Sequence, residues 1–355
     1  MSKIAFIFPG QGAQVCGMGQ DFYENSETAK AVFDRATELM GFSMPELCFE
    51  KNDRLDITEY TQAAMVTASI AMMKVLKERG VKPDVAAGLS LGEYCALAAA
   101  GVMSEDDAIA TVRQRGILMQ EAVPVGEGAM AAILALDAEA IEAVTDSMEG
   151  VWIANYNCPG QIVISGKKAA VEEACEKLKA AGAKRAIMLN VSGPFHSGML
   201  TGAGEKLGKV LENVEIHEPS IPYVANVTAQ YVTSAEPVKE LLIKQVSSSV
   251  RWQQSVEAMI QDGVDTFIEI GPGKTLAGFM RKIDKSVKTL NVEKWEDIEK
   301  VMESLGCLKG ERLSKIKEID YAGRKDCTGY GRKPGDWPPD CPYPGSTGRC
   351  CNREL

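Results

Sequence analysis

Histidine is nearly absent from this 355-residue chain: only His196 and His217 occur, so any chemistry that needs an imidazole has two candidates. Long hydrophobic runs are missing as well. No stretch could span a membrane, and the expected location is the cytoplasm. An excess of positive charge is also lacking. Lys and Arg number 39 against 49 Asp and Glu, a net charge of -10, which argues against non-specific nucleic-acid binding. Nor is there metal-ligand spacing. Cys16, Cys48, Cys95, Cys158 and Cys175 are scattered through apolar or helical context and read as buried reduced thiols. No metal and no cofactor are expected. The opening MSKIAFIFPG has one lysine and a short apolar run that ends at Pro9. It is too short for a signal peptide and lacks a small-residue cleavage site, so it reads as a first β-strand.

Residues 307–355 lack any hydrophobic period and are rich in Gly, Pro and Cys. Ten Lys/Arg stand there against seven Asp/Glu, so this stretch carries +3 and the remainder carries -13. Such a segment cannot bury enough apolar surface to offset its ordering entropy, and it is expected to be a disordered tail. Cys327, Cys341, Cys350 and Cys351 form no Cys-x-x-Cys pair and the stretch has no His, which argues against zinc. It reads as an accessory, an appended extension or a shifted reading frame.

What is present, from residue 3 to about 122, is an alternation of short apolar runs with longer helical ones. Ile4–Phe8 and Val85–Leu89 read as buried strands. Ala63–Lys77 reads as an amphipathic helix, and Glu93–Gly101 as a small-residue helix between layers. Such alternation predicts an α/β fold with a parallel sheet covered by helices. Residues 125–192 have a different rhythm. Ala129–Leu136, Ala138–Met148, Trp152–Asn155, Gln161–Ser165, Ala169–Ala181 and Arg185–Val191 read as β-α-β-β-α-β, the ferredoxin-like order. The expected architecture is a large domain (1–124 and 193–306) with a small ferredoxin-like domain (125–192) inserted in it. The large fold resumes with a helix after His196 and strands near Tyr223–Val227 and Thr266–Ile270.

Two glycine-rich stretches invite nucleotide readings and fail them. In Gly10-Gln11-Gly12-Ala13-Gln14-Val15, valine stands where the dinucleotide fingerprint needs Gly or Ala. Gly273-Lys274-Thr275 resembles the end of a P-loop, but the matching first glycine falls on Ile268. Both stretches are still expected to bring backbone N–H groups to strand ends.

Gly88-Leu89-Ser90-Leu91-Gly92 stands in a chemically telling context, an apolar strand before it and a small-residue helix after it. Two glycines allow a sharp strand-to-helix turn that exposes the serine oxygen. At the helix N-terminus the N–H of Leu91 can stabilise an oxyanion. Ser90 is therefore the candidate nucleophile. His196 sits in Gly193-Pro194-Phe195-His196-Ser197, at a loop-to-helix junction, and is preferred as its base; His217 is expected to face solvent. Spacing assigns no Asp or Glu as a third member. On these residues alone, a serine hydrolase or thioesterase is as good a reading as an acyltransferase, and a non-enzymatic scaffold with a dead site is a third.

Together the motifs closely resemble the malonyl-CoA:acyl carrier protein transacylases of fatty acid synthesis, from residue 3 to about 305. They are Phe8-Pro9-Gly10-Gln11-Gly12-Ala13-Gln14, Gly88-Leu89-Ser90-Leu91-Gly92-Glu93-Tyr94, Arg113-Gln114-Arg115-Gly116 through Met119-Gln120-Glu121-Ala122, Asn155-Tyr156-Asn157 with Pro159-Gly160-Gln161, Pro194-Phe195-His196-Ser197, and Glu269-Ile270-Gly271-Pro272-Gly273. The resemblance implies an α/β-hydrolase-like large domain and an enzyme acting on malonyl-CoA and acyl carrier protein, expected as a monomer. It implies Ser90 as nucleophile and His196 as base, with the imidazole oriented by the main-chain carbonyl of Gln245. Gln11 and Leu91 would supply oxyanion-hole N–H groups, and Arg115 would hold the malonyl carboxylate. An acidic carrier meeting a body of -13 needs a local basic patch, for which Lys184, Arg185, Arg281, Lys282 and Lys285 are candidates. Leu89 departs from the family, which often has His before the serine.

Overall fold

A buried parallel sheet dominates the larger part of the molecule. The computed structural model describes residues 2–191 and 193–307; the tail expected beyond, with Cys327, Cys341, Cys350 and Cys351, lies outside the described residues. The strands in chain order are β1 (Ile4–Phe8), β2 (Val85–Gly88), β3 (Gly128–Leu134), β4 (Val151–Cys158), β5 (Gln161–Lys167), β6 (Arg185–Met188), β7 (Tyr223–Val224), β8 (Tyr231–Val232), β9 (Thr266–Ile270) and β10 (Lys288–Val292). Six of them form one sheet in the order β10-β9-β1-β2-β7-β8. All its pairs are parallel except β7 with β8. Ala5, Phe6, Ile7 and Phe8 are fully buried, as a central parallel strand covered on both faces requires. The covering helices include Thr58–Glu78, nearly all of it buried, and Gly92–Ala99, buried at every residue.

The second sheet is antiparallel, in the order β4-β5-β3-β6. Helices Ala138–Asp146 and Lys168–Ala180 contribute Ile141, Val171, Ala174 and Leu178 to its own apolar core, with Ile133, Ile153 and Ile164. That order is the ferredoxin-like one, and it places the first and third strands of the insertion side by side. Both sheets belong to one unit, Met1–Met302; of a second, Glu303–Leu355, the described part ends at residue 307.

Several local expectations need correction. The helix expected at Ala63–Lys77 begins earlier, at Thr58. The strand expected to reach Val227 stops at Val224, because the chain turns back: Ala225 donates to the Gln230 carbonyl and β8 pairs antiparallel with β7. Strand β10 carried no expectation; its flanks are lysine-rich and it has no clean alternation. Cys16 is exposed rather than buried, its thiol donating to the Phe49 carbonyl at 3.3 Å, whereas Cys48, Cys95, Cys158 and Cys175 are buried.

Candidate active site

The turn from β2 into helix Gly92–Ala99 is held by shape and by side-chain amides. A Cβ at Gly88 would lie 1.9 Å from the Gly92 carbonyl carbon, and one at Gly92 would lie 2.2 Å from the Phe8 oxygen. Only glycine permits this approach of backbone to backbone. Between them Ser90 is forced to φ 52°, a left-handed conformation that a non-glycine residue adopts only when its surroundings over-determine it. Those surroundings are specific. The Ser90 N–H donates to Asn226 Oδ1 at 2.6 Å, and its carbonyl accepts from Gln245 Nε2 at 2.9 Å. Asn226 Nδ2 also donates to the Gly88 carbonyl at 2.7 Å.

His196 shares the left-handed conformation, at φ 58°, and is buried. Its Nδ1 lies 2.8 Å from the Gln245 carbonyl oxygen and its Nε2 lies 2.6 Å from Ser90 Oγ. A carbonyl can only accept, so Nδ1 carries the hydrogen and the Nε2 lone pair faces the serine hydroxyl. Burial, then the nearby Arg115 cation, push the imidazole down to about 4, against which its backbone partners Gln245 and Ser248 act. At neutral pH the ring is an uncharged acceptor.

Arg115 is delivered by helix Glu105–Glu121, which starts on the Ser104 cap with three acids in its first turn. Its guanidinium is buried and donates to Gln62 Oε1 at 2.8 Å, to Gln245 Oε1 at 3.0 Å and to Ser90 Oγ at 3.3 Å. Gln62 Nε2 in turn reaches Gln11 Oε1 at 3.4 Å. Ser90, His196, Arg115, Gln11 and Leu91 line a single cleft of about 620 Å³, with Met119, Met130, Asn155 and Phe195 among its other walls. The cleft opens at the carboxyl ends of β1 and β2, where open α/β sheets bind ligands. A buried base, a hydroxyl and a cation around one cleft suit transfer of an acidic acyl group.

Residues 5–311 match the acyl transferase domain family. The chain belongs to that family. Among curated relatives it is 51% identical to the malonyl CoA-acyl carrier protein transacylase of Bacillus subtilis (strain 168), over 86% of this chain and 98% of that one. Against the Staphylococcus aureus (strain MRSA252) enzyme of the same name the figures are 44%, 84% and 98%. Among solved structures, the malonyl CoA-acyl carrier protein transacylase of Clostridium perfringens superposes with a TM-score of 0.82 at 43% identity, covering 91% of this chain and 100% of that one. A type II PKS acyl-carrier protein in complex with its malonyl-transacylase gives a TM-score of 0.83 at 39% identity, over 85% and 100%.

Within this acyl transferase domain the structure gathers all six residues singled out from sequence. It leaves His217 exposed, 3.8 Å from Glu215. It also adds Asn226, Gln62, Glu93 and the side chain of Gln245. Asn226 had a signal, a polar residue two positions past the buried strand that ends at Val224. Glu93 had one too, a lone charge in an otherwise apolar buried helix. Of the two glycine-rich stretches, the first reaches the cleft through Gln11 and Gly12. The N–H of Gly273 does not serve a ligand there, since it donates to Glu293 Oε1 at 3.0 Å. The Glu269 carboxylate of that motif caps helix Thr275–Ile283, accepting from the N–H groups of Leu276 and Ala277 at 3.0 and 2.8 Å.

Proposed function

We propose that the chain transfers a malonyl group from malonyl-CoA to the phosphopantetheine thiol of acyl carrier protein, through an ester on Ser90, and so supplies fatty acid synthesis. The observation that carries the substrate choice is the buried Arg115 guanidinium 3.3 Å from Ser90 Oγ, a cation waiting beside the acyl-accepting atom. His196 Nε2 takes the hydroxyl proton as Ser90 attacks the thioester carbonyl. The Gln245 carbonyl, accepting from Nδ1–H, stabilises the imidazolium that forms, in the place a carboxylate takes in a Ser-His-Asp triad. The backbone N–H groups of Gln11 and Leu91 receive the oxyanion. The proton passes to the departing CoA thiol, and the pantetheine thiol then attacks the ester with the same help. Thioester, ester and thioester are nearly equal in energy, so the cleft has mainly to keep water from the ester.

In this reading the polypeptide divides into a large domain (1–124 and 193–306) and a small one (125–192), acts as a monomer in the cytoplasm without nucleic-acid partners, and needs no cofactor. The test is acceptor dependence. With labelled malonyl-CoA, label should appear on the holo carrier protein and free malonate should stay at background. Malonate released at the same rate with and without the carrier would make the protein a hydrolase.

A further inference from the structure

Arg115 is a cation in the interior, and its hydrogen-bond acceptors are all neutral: Gln62, Gln245 and Ser90. A buried charge needs a counter-charge. The carboxylate that supplies one is Glu93, also buried, on the helix that follows the nucleophile. The two are joined through a single side-chain amide. Arg115 Nη2 donates to Gln245 Oε1 at 3.0 Å, and Gln245 Nε2 donates to Glu93 Oε2 at 2.6 Å. The same Glu93 oxygen accepts the Asn226 N–H at 3.3 Å, while Oε1 is buried with no hydrogen-bond partner among the described residues. The ionised carboxylate is thus satisfied on one side only. Its facing groups are Arg115 from helix Glu105–Glu121, the Tyr223 hydroxyl from β7, Tyr94 from its own helix and, beyond Gln245, the neutral His196.

We propose that Glu93 is the resident counter-charge of Arg115, a positioning residue that takes up one proton from solvent when the malonyl carboxylate replaces it as Arg115's partner. The inference rests on the malonyl-transfer reading above. Two carboxylates cannot both stay ionised around one buried guanidinium, and the acyl carboxylate makes the direct pair. Burial already holds the Glu93 carboxyl at about 7, with Gln245, Asn226 and Arg115 acting to lower it. A second negative charge in the cleft raises it further. The malonyl-enzyme therefore binds more protons than the free enzyme at pH above about 7, and falling pH favours malonylation there. Below that range both forms are protonated and the preference levels off.

The experiment sets enzyme with fixed malonyl-CoA and free CoA and reads the malonylated fraction by intact mass. Between about pH 8.5 and 7 the exchange constant should rise by up to about tenfold per pH unit, the limit for one linked proton. Acetyl-CoA, which lacks the carboxylate, should show no such rise. Glu93→Gln should give a malonylation constant independent of pH. Should that variant fail to fold, the intact protein still decides the matter. Malonylation of protein carrying 13C-carboxyl glutamate should bring up an infrared carboxylic-acid band that shifts with the label. A pH-independent constant in the intact enzyme, an equal slope in Glu93→Gln, or an unlabelled band would overturn the proposal while leaving the transferase reading standing. No malonyl-enzyme at any pH would overturn both.

Discussion

Malonyl differs from acetyl by one carboxylate, and the proposed function assigns its recognition to Arg115, whose guanidinium lies 3.3 Å from Ser90 Oγ. A guanidinium can hold a carboxylate by two parallel hydrogen bonds, which a lysine cannot reproduce. Leaving that carboxylate buried without its partner costs about 3–5 kcal/mol. Arg115→Ala should therefore lower kcat/KM for malonyl-CoA by on the order of 10²–10³-fold while sparing acetyl-CoA. Arg113 is the internal control. It pairs with Glu59 at 2.7 Å and lies 4.2 Å over the Tyr60 ring, so Arg113→Ala should leave the malonyl-to-acetyl ratio unchanged. Equal losses with both thioesters in Arg115→Ala would make Arg115 a structural or CoA-binding residue. His196 makes a second residue-scale expectation. A base must be unprotonated to act, and this imidazole stays so down to about pH 4. Labelling of Ser90 by an uncharged fluorophosphonate should thus be flat across neutral pH and fall only in acid. A midpoint near the ordinary imidazole value of 6.5 would contradict the buried, neutral ring.

At the scale of elements, the turn that carries Ser90 depends on two backbones meeting where no side chain fits. Gly92→Ala would drive a methyl to 2.2 Å from the Phe8 oxygen on central strand β1, which cannot yield without disturbing the sheet. The variant should lose many degrees of melting temperature or fail to accumulate. Gly202→Ala, in helix Thr201–Leu211 with open space around it, should gain a little stability instead, about 0.5–1 kcal/mol. Similar melting temperatures for the two would refute this account of the turn. Much of this level was legible in sequence. Ile4–Phe8 is a continuous apolar run that ends at Pro9, Thr266–Ile270 is a largely apolar run interrupted by Glu269, and both strands lie where those runs are. The insertion showed its β-α-β-β-α-β rhythm because its helices and strands alternate with clean periods. What was illegible depends on contacts distant in sequence. No local pattern marks β10, which forms because β9 offers it an edge. The polar cluster around Ser90 joins Gln62, Asn226 and Gln245, residues from three separate segments that only the packed sheet brings together. Glu93 was visible as a misplaced charge, but its partners were not.

At the scale of the whole molecule, the described body is strongly acidic, and an acidic carrier would have to approach through a local exception. Lys184 and Arg185 at the start of β6, Arg281 and Lys282 in the last turn of helix Thr275–Ile283, and Lys285 just beyond it are exposed. Lys282 also reaches Gln161 across to β5, at 3.2 Å. Reversing the charges of Lys184 and Arg281 should raise KM for the carrier protein and flatten its salt dependence, with malonyl-CoA kinetics unaltered. Unchanged salt dependence would reject the patch. Residues 312–355 lie beyond the family match, so their removal should leave transfer activity and melting temperature nearly as they are. The central claim, an acyl group carried on Ser90 between two thiols, is tested most directly by one mass measurement. Protein is mixed with malonyl-CoA alone, its intact mass is read, and holo carrier protein is then added. One malonyl group should appear on the chain, map to Ser90 and pass to the carrier. Equal acylation of Ser90→Ala, or an adduct that the carrier cannot remove, would contradict it.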